Sequence, residues 1–162
     1  MKYLIYYYHF INNLIINIYT DGSSKGNPGP GGIGIIIKFP NNYKKYSYKF
    51  RYSTNNRMEL YAIFFSLKKI KKILKEKYLI FNLYSDSKYI INIINKKHKI
   101  KKNFDIWKKI FFLKIKKINF FWIKGHNKNY YNEKCNKLAY NVINNKKKKK
   151  YIDFNYENKY NK

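Results

Sequence analysis

A chain of 162 residues, 45% hydrophobic and 20% aromatic, has the length of one domain and too much apolar surface to stay unfolded. Its single cysteine excludes a disulfide framework and suits a reducing, cytoplasmic setting. The formal charge of +28 fits a polyanion binder, but Lys, Asn, Ile, Tyr and Phe, all A/T-coded, make up 113 of the 162 residues, so codon bias accounts for that charge equally well.

Residues 1–13 read as an N-terminal extension. The stretch Met1 to Ile18 is apolar, but His9, Asn12, Asn13 and Asn17 interrupt it and it lacks a small-residue cleavage site, which argues against a signal or membrane anchor. Leu14 to Thr20 is a β-branched and aromatic strand that stops at the turn pair Asp21-Gly22. Gly22 to Gly32 reads as a loop that no helix or strand absorbs. Gly34 to Phe39 and Tyr43 to Tyr52 predict two further strands, joined by a hairpin connection at Pro40-Asn41-Asn42. Leu60, Ile63, Phe64, Leu67, Ile70, Ile73 and Leu74 lie on the apolar stripe of an amphipathic helix, with Asn56 as its cap. Tyr78 to Tyr84 is a fourth strand and Tyr89 to Asn95 a short helix. Asn95 to Asn103 is a lysine-rich connector and Phe104 to Lys117 a second amphipathic helix. Ile118 to Ile123 is a fifth strand, and a last helix runs from about Asn132 to Ile143. This order predicts an α/β domain over residues 14–143, a mixed five-stranded sheet flanked by helices. Residues 144–162 carry five consecutive lysines and little apolar periodicity, and read as a disordered basic tail.

Only 8 acidic residues stand against 36 Lys and Arg, so their placement is informative. Asp21 ends the first strand, Asp86 ends the fourth, and Glu59 lies in the opening turns of the first helix. If those two strands are parallel neighbours, the aspartates emerge side by side at one sheet edge, within reach of Glu59 on a helix packed over the sheet. Three converging carboxylates raise one another's pKa and cost stability unless a cation joins them. Hard oxygen ligands with open positions suit Mg²⁺ or Mn²⁺ and phosphoryl chemistry. Each acid taken alone fits an ordinary turn or helix cap.

Four segments in order, YTDGSSKGNPGPGGIG, TNNRMEL, YSDSKY and WIKGHNKNYYNEKCNKLA, closely resemble the four signature blocks of type 1 ribonuclease H, over roughly Leu14 to Ile143. The resemblance implies a ribonuclease H-like fold. It also implies endonucleolytic hydrolysis of the RNA strand of RNA–DNA hybrids by two Mg²⁺ ions, with Mn²⁺ as a substitute, leaving 5′-phosphate and 3′-hydroxyl ends. By the same resemblance Asp21 bridges both ions, Glu59 and Asp86 hold the one nearer the leaving oxygen, and His126 on a mobile loop carries a proton or helps product leave. Ser24, Asn27, Asn55, Asn56 and Lys88 match positions that contact the hybrid. Short amides suit a shallow minor groove in which the 2′-hydroxyl marks RNA, and Lys88 suits a phosphate. The glycine-rich segment is not a nucleotide-binding loop, because the Gly-Lys-Ser/Thr ending is missing. The implied partner is the hybrid, with no membrane, and a monomer is expected.

Two departures from the family pattern stand out. Asn136 occupies the position of the fourth metal carboxylate, keeping a ligand oxygen but removing a charge. The resemblance therefore implies weaker binding of the water-activating metal, and reduced activity or a demand for more Mg²⁺ or for Mn²⁺. Glu133, on the same helix, fits a helix-start acid better than a substitute ligand. The 21 residues from Asp86 to Trp107 are too few for an extra basic handle helix; Lys96, Lys97, Lys99, Lys101 and Lys102 form either a substitute phosphate patch or a solvated connector. Two alternatives to an active enzyme are a weakened hybrid-binding module that keeps the fold and a released domain of a reverse transcriptase. Retention of Asp21, Glu59 and Asp86 favours the enzyme, and the short chain favours a stand-alone one.

Overall fold

The computed structural model describes residues 14–73, 79–125 and 127–160; the extension 1–13 lies outside them. Three long strands, β1 (Leu14–Ser24), β2 (Gly29–Lys38) and β3 (Tyr43–Ser53), run antiparallel in sequence order. They are followed by α1 (Asn55–Ile73), β4 (Leu79–Ser85), α2 (Lys88–Ile94), α3 (Phe104–Phe112), β5 (Ile118–Trp122) and α4 (Tyr130–Asn144). A two-residue β6 (Lys150–Tyr151) and α5 (Phe154–Tyr160) complete the described elements. The sheet order is β5-β4-β1-β2-β3-β6, with β4 parallel to β1 and β5 parallel to β4. The α/β class and the mixed sheet follow the sequence reading, but among the described residues the sheet has six strands rather than five, because β6 adds in parallel to β3.

Burial along the strands follows from which helices cover them. β4 alternates buried and half-buried residues, so one face packs and the other does not. β2 is buried almost throughout, from Gly31 to Ile37, because α1 covers one face of it and α4 the other. At Gly34 a Cβ would stand 2.1 Å from the Cys135 carbonyl oxygen. The missing side chain thus lets α4 lie directly on the strand. The stripe on α1 reaches the core as its spacing predicts: Leu60, Ile63, Leu67 and Ile70 are buried with Ile16 and Ile18 of β1, and Phe81 and Leu83 of β4. Burying each such side chain contributes about 1.5–3 kcal/mol.

Four sequence expectations need correction. Gly22 to Gly32 is not a free loop: Gly22 to Ser24 continue β1, and Gly29 to Gly32 begin β2, paired as Gly22↔Ile33 and Ser24↔Gly31. Glycine serves close packing there as much as turning. Second, α1 starts at Asn55, so Asn56 lies inside the helix, and it is Asn27 Oδ1 that accepts the Asn55 amide N–H at 3.1 Å. Third, α3 stops at Phe112 instead of reaching Lys117, with Lys114 and Lys117 at φ 49° and 59°, outside right-handed helix space. Fourth, the described part of the segment after residue 144, residues 145–160, is not a disordered tail; 161–162 lie outside the described residues. It lacks apolar periodicity, but Asp153 is 0% and Glu157 3% exposed, and each bonds an arginine of the domain. Charge pairing supplies the anchorage that an apolar stripe would otherwise provide. No helix among the described residues is long and apolar enough to cross a membrane.

Candidate active site

The parallel register of β1 and β4 reaches Thr20↔Ser85, so Asp21, still paired to Gly34 of β2, and Asp86, the first residue past the end of β4, come to lie beside each other. α1 brings the third acid. A Cβ on Gly22 would lie 2.2 Å from the Glu59 amide nitrogen, so only glycine lets the first turns of α1 sit on the end of β1 and bring Glu59 up to Asp21.

These carboxylates are left without cationic partners. No salt bridge among the described residues reaches Asp21, Glu59 or Asp86, in a chain of 36 Lys and Arg. Asp21 is 5% exposed; its Oδ1 accepts the Gly22 N–H at 2.7 Å, while Oδ2 is buried without a hydrogen-bond partner. Burial, then the Asp86 charge, push its pKa up to about 7, with Glu59 adding to the rise and the Gly22 N–H and the Asn136 side chain opposing it. Burial likewise raises Glu59, with the Asp86 charge adding to it against a hydrogen bond from Ser87. Glu59 Oε1 also accepts the Asn55 side-chain amide at 3.2 Å.

Asp86 Oδ2 accepts the Asn132 side-chain amide at 3.3 Å, and its backbone oxygen accepts the Trp122 indole N–H at 3.0 Å. The exposed Lys88 ammonium lies 5.4 Å from the centre of the Trp122 ring, at the rim of the site. His126 lies outside the described residues, but its neighbour Gly125 is packed so close that a Cβ there would meet Asp86 Oδ2 at 2.9 Å.

Among the described residues no group of three or more His, Cys, Asp or Glu side chains already stands at metal-ligating spacing. The donor set nonetheless fits a hard divalent cation: mutually repelling carboxylates, one of them with an orphaned buried oxygen, and amide oxygens nearby. Asn136 lies at this cluster through its effect on Asp21. Asn27 and Asn55 are joined to Glu59 by successive hydrogen bonds, and Ser24 has a buried hydroxyl without a partner.

A groove of about 920 Å³ is lined by Asn27, Thr54 and Asn56 and by Lys101 and Lys102 of the connector; none of the three acids lines it, but Asn27 ties it to Glu59 through Asn55. Lys96, Lys97 and Lys99 do not line it.

Sequence reasoning missed two features. Asn132 is buried, holds Asp86, and has an Oδ1 without a partner. Its place one helical turn before Asn136 was the available signal. Arg57 was the other: it is one of only two arginines in a lysine-dominated chain.

The RNase H family profile matches residues 13–144. The chain belongs to the ribonuclease H family. It is similar to the Ribonuclease HI of Helicobacter pylori (strain J99 / ATCC 700824), with 46% identity over 135 residues, covering 76% of this chain and 90% of that protein. The Ribonuclease H of Trichodesmium erythraeum is 41% identical over 140 residues, covering 76% and 85%. Among solved structures, LC11-RNase H1 in complex with RNA/DNA hybrid aligns with a TM-score of 0.70 and 26% identity, covering 79% of this chain and 96% of that one. The sequence blocks, the sheet order and these relatives agree on a type 1 ribonuclease H, hence a nuclease.

Proposed function

We propose that this ribonuclease H cleaves the RNA strand of RNA–DNA hybrids endonucleolytically, with two Mg²⁺ ions for which Mn²⁺ can substitute, leaving 5′-phosphate and 3′-hydroxyl ends. The observation that carries this reading is the buried Asp21 beside Asp86 and Glu59, repelled by both and paired with no cation among the described residues. Bound divalent ions would lower the pKa of the attacking water and neutralise charge developing on the phosphate and the leaving oxygen. Asp21, Glu59 and Asp86 supply the anionic ligands. Asn132 holds Asp86 in orientation, and the Gly22 N–H holds one oxygen of Asp21, leaving the other to ligate. His126, the residue after Gly125 in sequence, takes the proton-carrying role that the family resemblance implies. Asn27, Asn55 and Asn56 present amides to the minor groove, with Ser24 beside them and Lys88 on a phosphate. The hybrid bound in the LC11-RNase H1 structure supports this substrate class. The groove, with its amides and Lys101 and Lys102, suits a sugar–phosphate backbone.

Asn136 brings one neutral amide where a fourth charge is expected, which favours a second reading, a hybrid-binding module with little cleavage. One assay separates the two. Purified protein is incubated with an end-labelled hybrid and Mg²⁺ or Mn²⁺, with Asp21→Asn as control. Cleavage lost in the variant establishes the enzyme, and binding without cleavage in the unmodified protein establishes the module.

A further inference from the structure

The family profile ends at residue 144, yet the segment beyond it is tied into the wall of the groove. Asp153 is fully buried, and its two oxygens accept four bonds: Oδ2 from Arg57 Nε and Ser53 Oγ, each at 2.7 Å, and Oδ1 from Arg57 Nη2 at 2.7 Å and Tyr61 OH at 2.8 Å. The same guanidinium holds Asp105 at 2.6 Å and 3.0 Å and Asn103 Oδ1 at 3.1 Å. Arg57 therefore joins the C-terminal segment to the start of α3. It also sits one residue after Asn56 and two before Glu59, in the first turn of α1. Glu157, bonded to Arg51, accepts the Asp153 N–H at 3.1 Å and fixes the start of α5. On α5, Asn155 and Tyr156 line the groove together with Asn27, Asn56 and the connector lysines. The one carboxylate lining this space, Asp105, is engaged by Arg57 and by Asn155 Nδ2 at 3.2 Å, so the groove presents amides and ammonium groups to an anion.

We infer that the start of α5 is part of the substrate site: Asn155 and Tyr156 contact the backbone of the bound hybrid, and Asp153, acting through Arg57, is a positioning residue for the first turn of α1. The inference rests on the reading that the substrate is an RNA–DNA hybrid. Deleting the whole segment would uncover Arg57 and confound binding with unfolding, so the test uses side chains that line the groove.

Dissociation constants for a fluorescent hybrid are measured by anisotropy in the full-length protein, for Asn155→Ala/Tyr156→Ala and for Asn158→Ala, which lies on the same helix outside the groove. Thermal melts show that each variant is folded, and cleavage is followed separately. The expected result is weaker binding by the double variant, roughly five- to tenfold, the size of one or two lost polar contacts. In cleavage that loss appears in KM with kcat unchanged, and Asn158→Ala matches the unmodified protein. For Asp153, Asp153→Ala raises KM and Asp153→Glu restores part of the loss. A folded double variant that binds as tightly as the unmodified protein overturns the inference, whether or not the protein cleaves. Failure of the unmodified protein to cleave, with binding still dependent on Asn155 and Tyr156, overturns the hydrolytic reading alone. Failure to bind hybrid at all overturns both.

Discussion

Two clusters of three acids share this small domain and are treated in opposite ways. Asp105, Asp153 and Glu157 meet Arg51 and Arg57, the only arginines in the chain, through bidentate and charge-assisted bonds. Asp21, Glu59 and Asp86 meet amides, a backbone N–H and one another. Asp21 and Asp153 are both buried, at 5% and 0% exposed, so burial does not set the clusters apart. Nor does any scarcity of cations, with 36 Lys and Arg available. A buried carboxylate without a counter-charge lowers stability, and one bonded to a planar guanidinium fork is compensated. The Asp21 cluster, the first in sequence, is thus left open to a cation from solution, whereas the second, around Asp153, closes the fold around the groove.

The largest test of this contrast is Asp21→Asn. Hybrid cleavage is expected to fall on the order of 10³-fold or more, because several kcal/mol of charge stabilisation at the reacting phosphate goes with the ligand. The metal-free variant should melt no lower than the unmodified protein, since it loses a repelled charge. A large drop in Tm would mean that Asp21 is a structural acid like Asp153, and the contrast would collapse. The mirror experiment is Asp153→Ala, which strips Arg57 of one carboxylate and is expected to cost about 3–5 kcal/mol in urea unfolding.

Much of this arrangement could be read from the chain. The 3.6-residue stripe from Leu60 to Ile70 and the β-branched runs ending at Asp21 and Asp86 encode the sheet and its covering helix, and their parallel register brings the acids together. The second cluster was hidden because its partners are far apart in sequence: Arg57 and Asp153 are separated by 96 positions, and no local pattern links them. The lysine run before Asp153 also resembles a solvated tail, since periodicity measures apolar burial and not ion pairing. Arginine retained at two positions amid 34 lysines was the trace such a contact leaves, because lysine cannot reproduce the fork. The strand ends within Gly22 to Gly32 are hidden for a related reason: glycine that admits a helix backbone is indistinguishable in sequence from glycine that turns.

Asn136→Asp sharpens the contrast from within the first cluster. It adds the missing charge beside Asp21, and the Mg²⁺ concentration for half-maximal cleavage should fall roughly tenfold, as ligand charge tunes the affinity of hard-cation sites. Without metal the same variant should be less stable than the unmodified protein, because a fourth carboxylate joins three that already repel. If Mg²⁺ dependence stays the same, Asn136 is not part of the metal site.

The smallest effect reads both clusters in one titration. The pKa of Asp21 rises from 3.8 to about 7 on folding, so between those values the folded protein holds a proton that the unfolded chain has released. Stability contributed by this group therefore falls as pH rises from about 4 to about 7. Asp105 is moved the other way: against the cost of burial, hydrogen bonds and charge from Arg57 hold its pKa below 3.8. Its contribution is present above 3.8 and is lost as pH falls through the folded value. In EDTA, the Tm of Asp21→Asn should gain on that of the unmodified protein by a few degrees as pH rises from 4 to 7. Saturating Mg²⁺ should erase the gain, because a cation at Asp21 replaces the proton. Parallel Tm curves in EDTA across that range would show that Asp21 keeps its charge without metal, and that the two clusters do not differ in the way their partners imply.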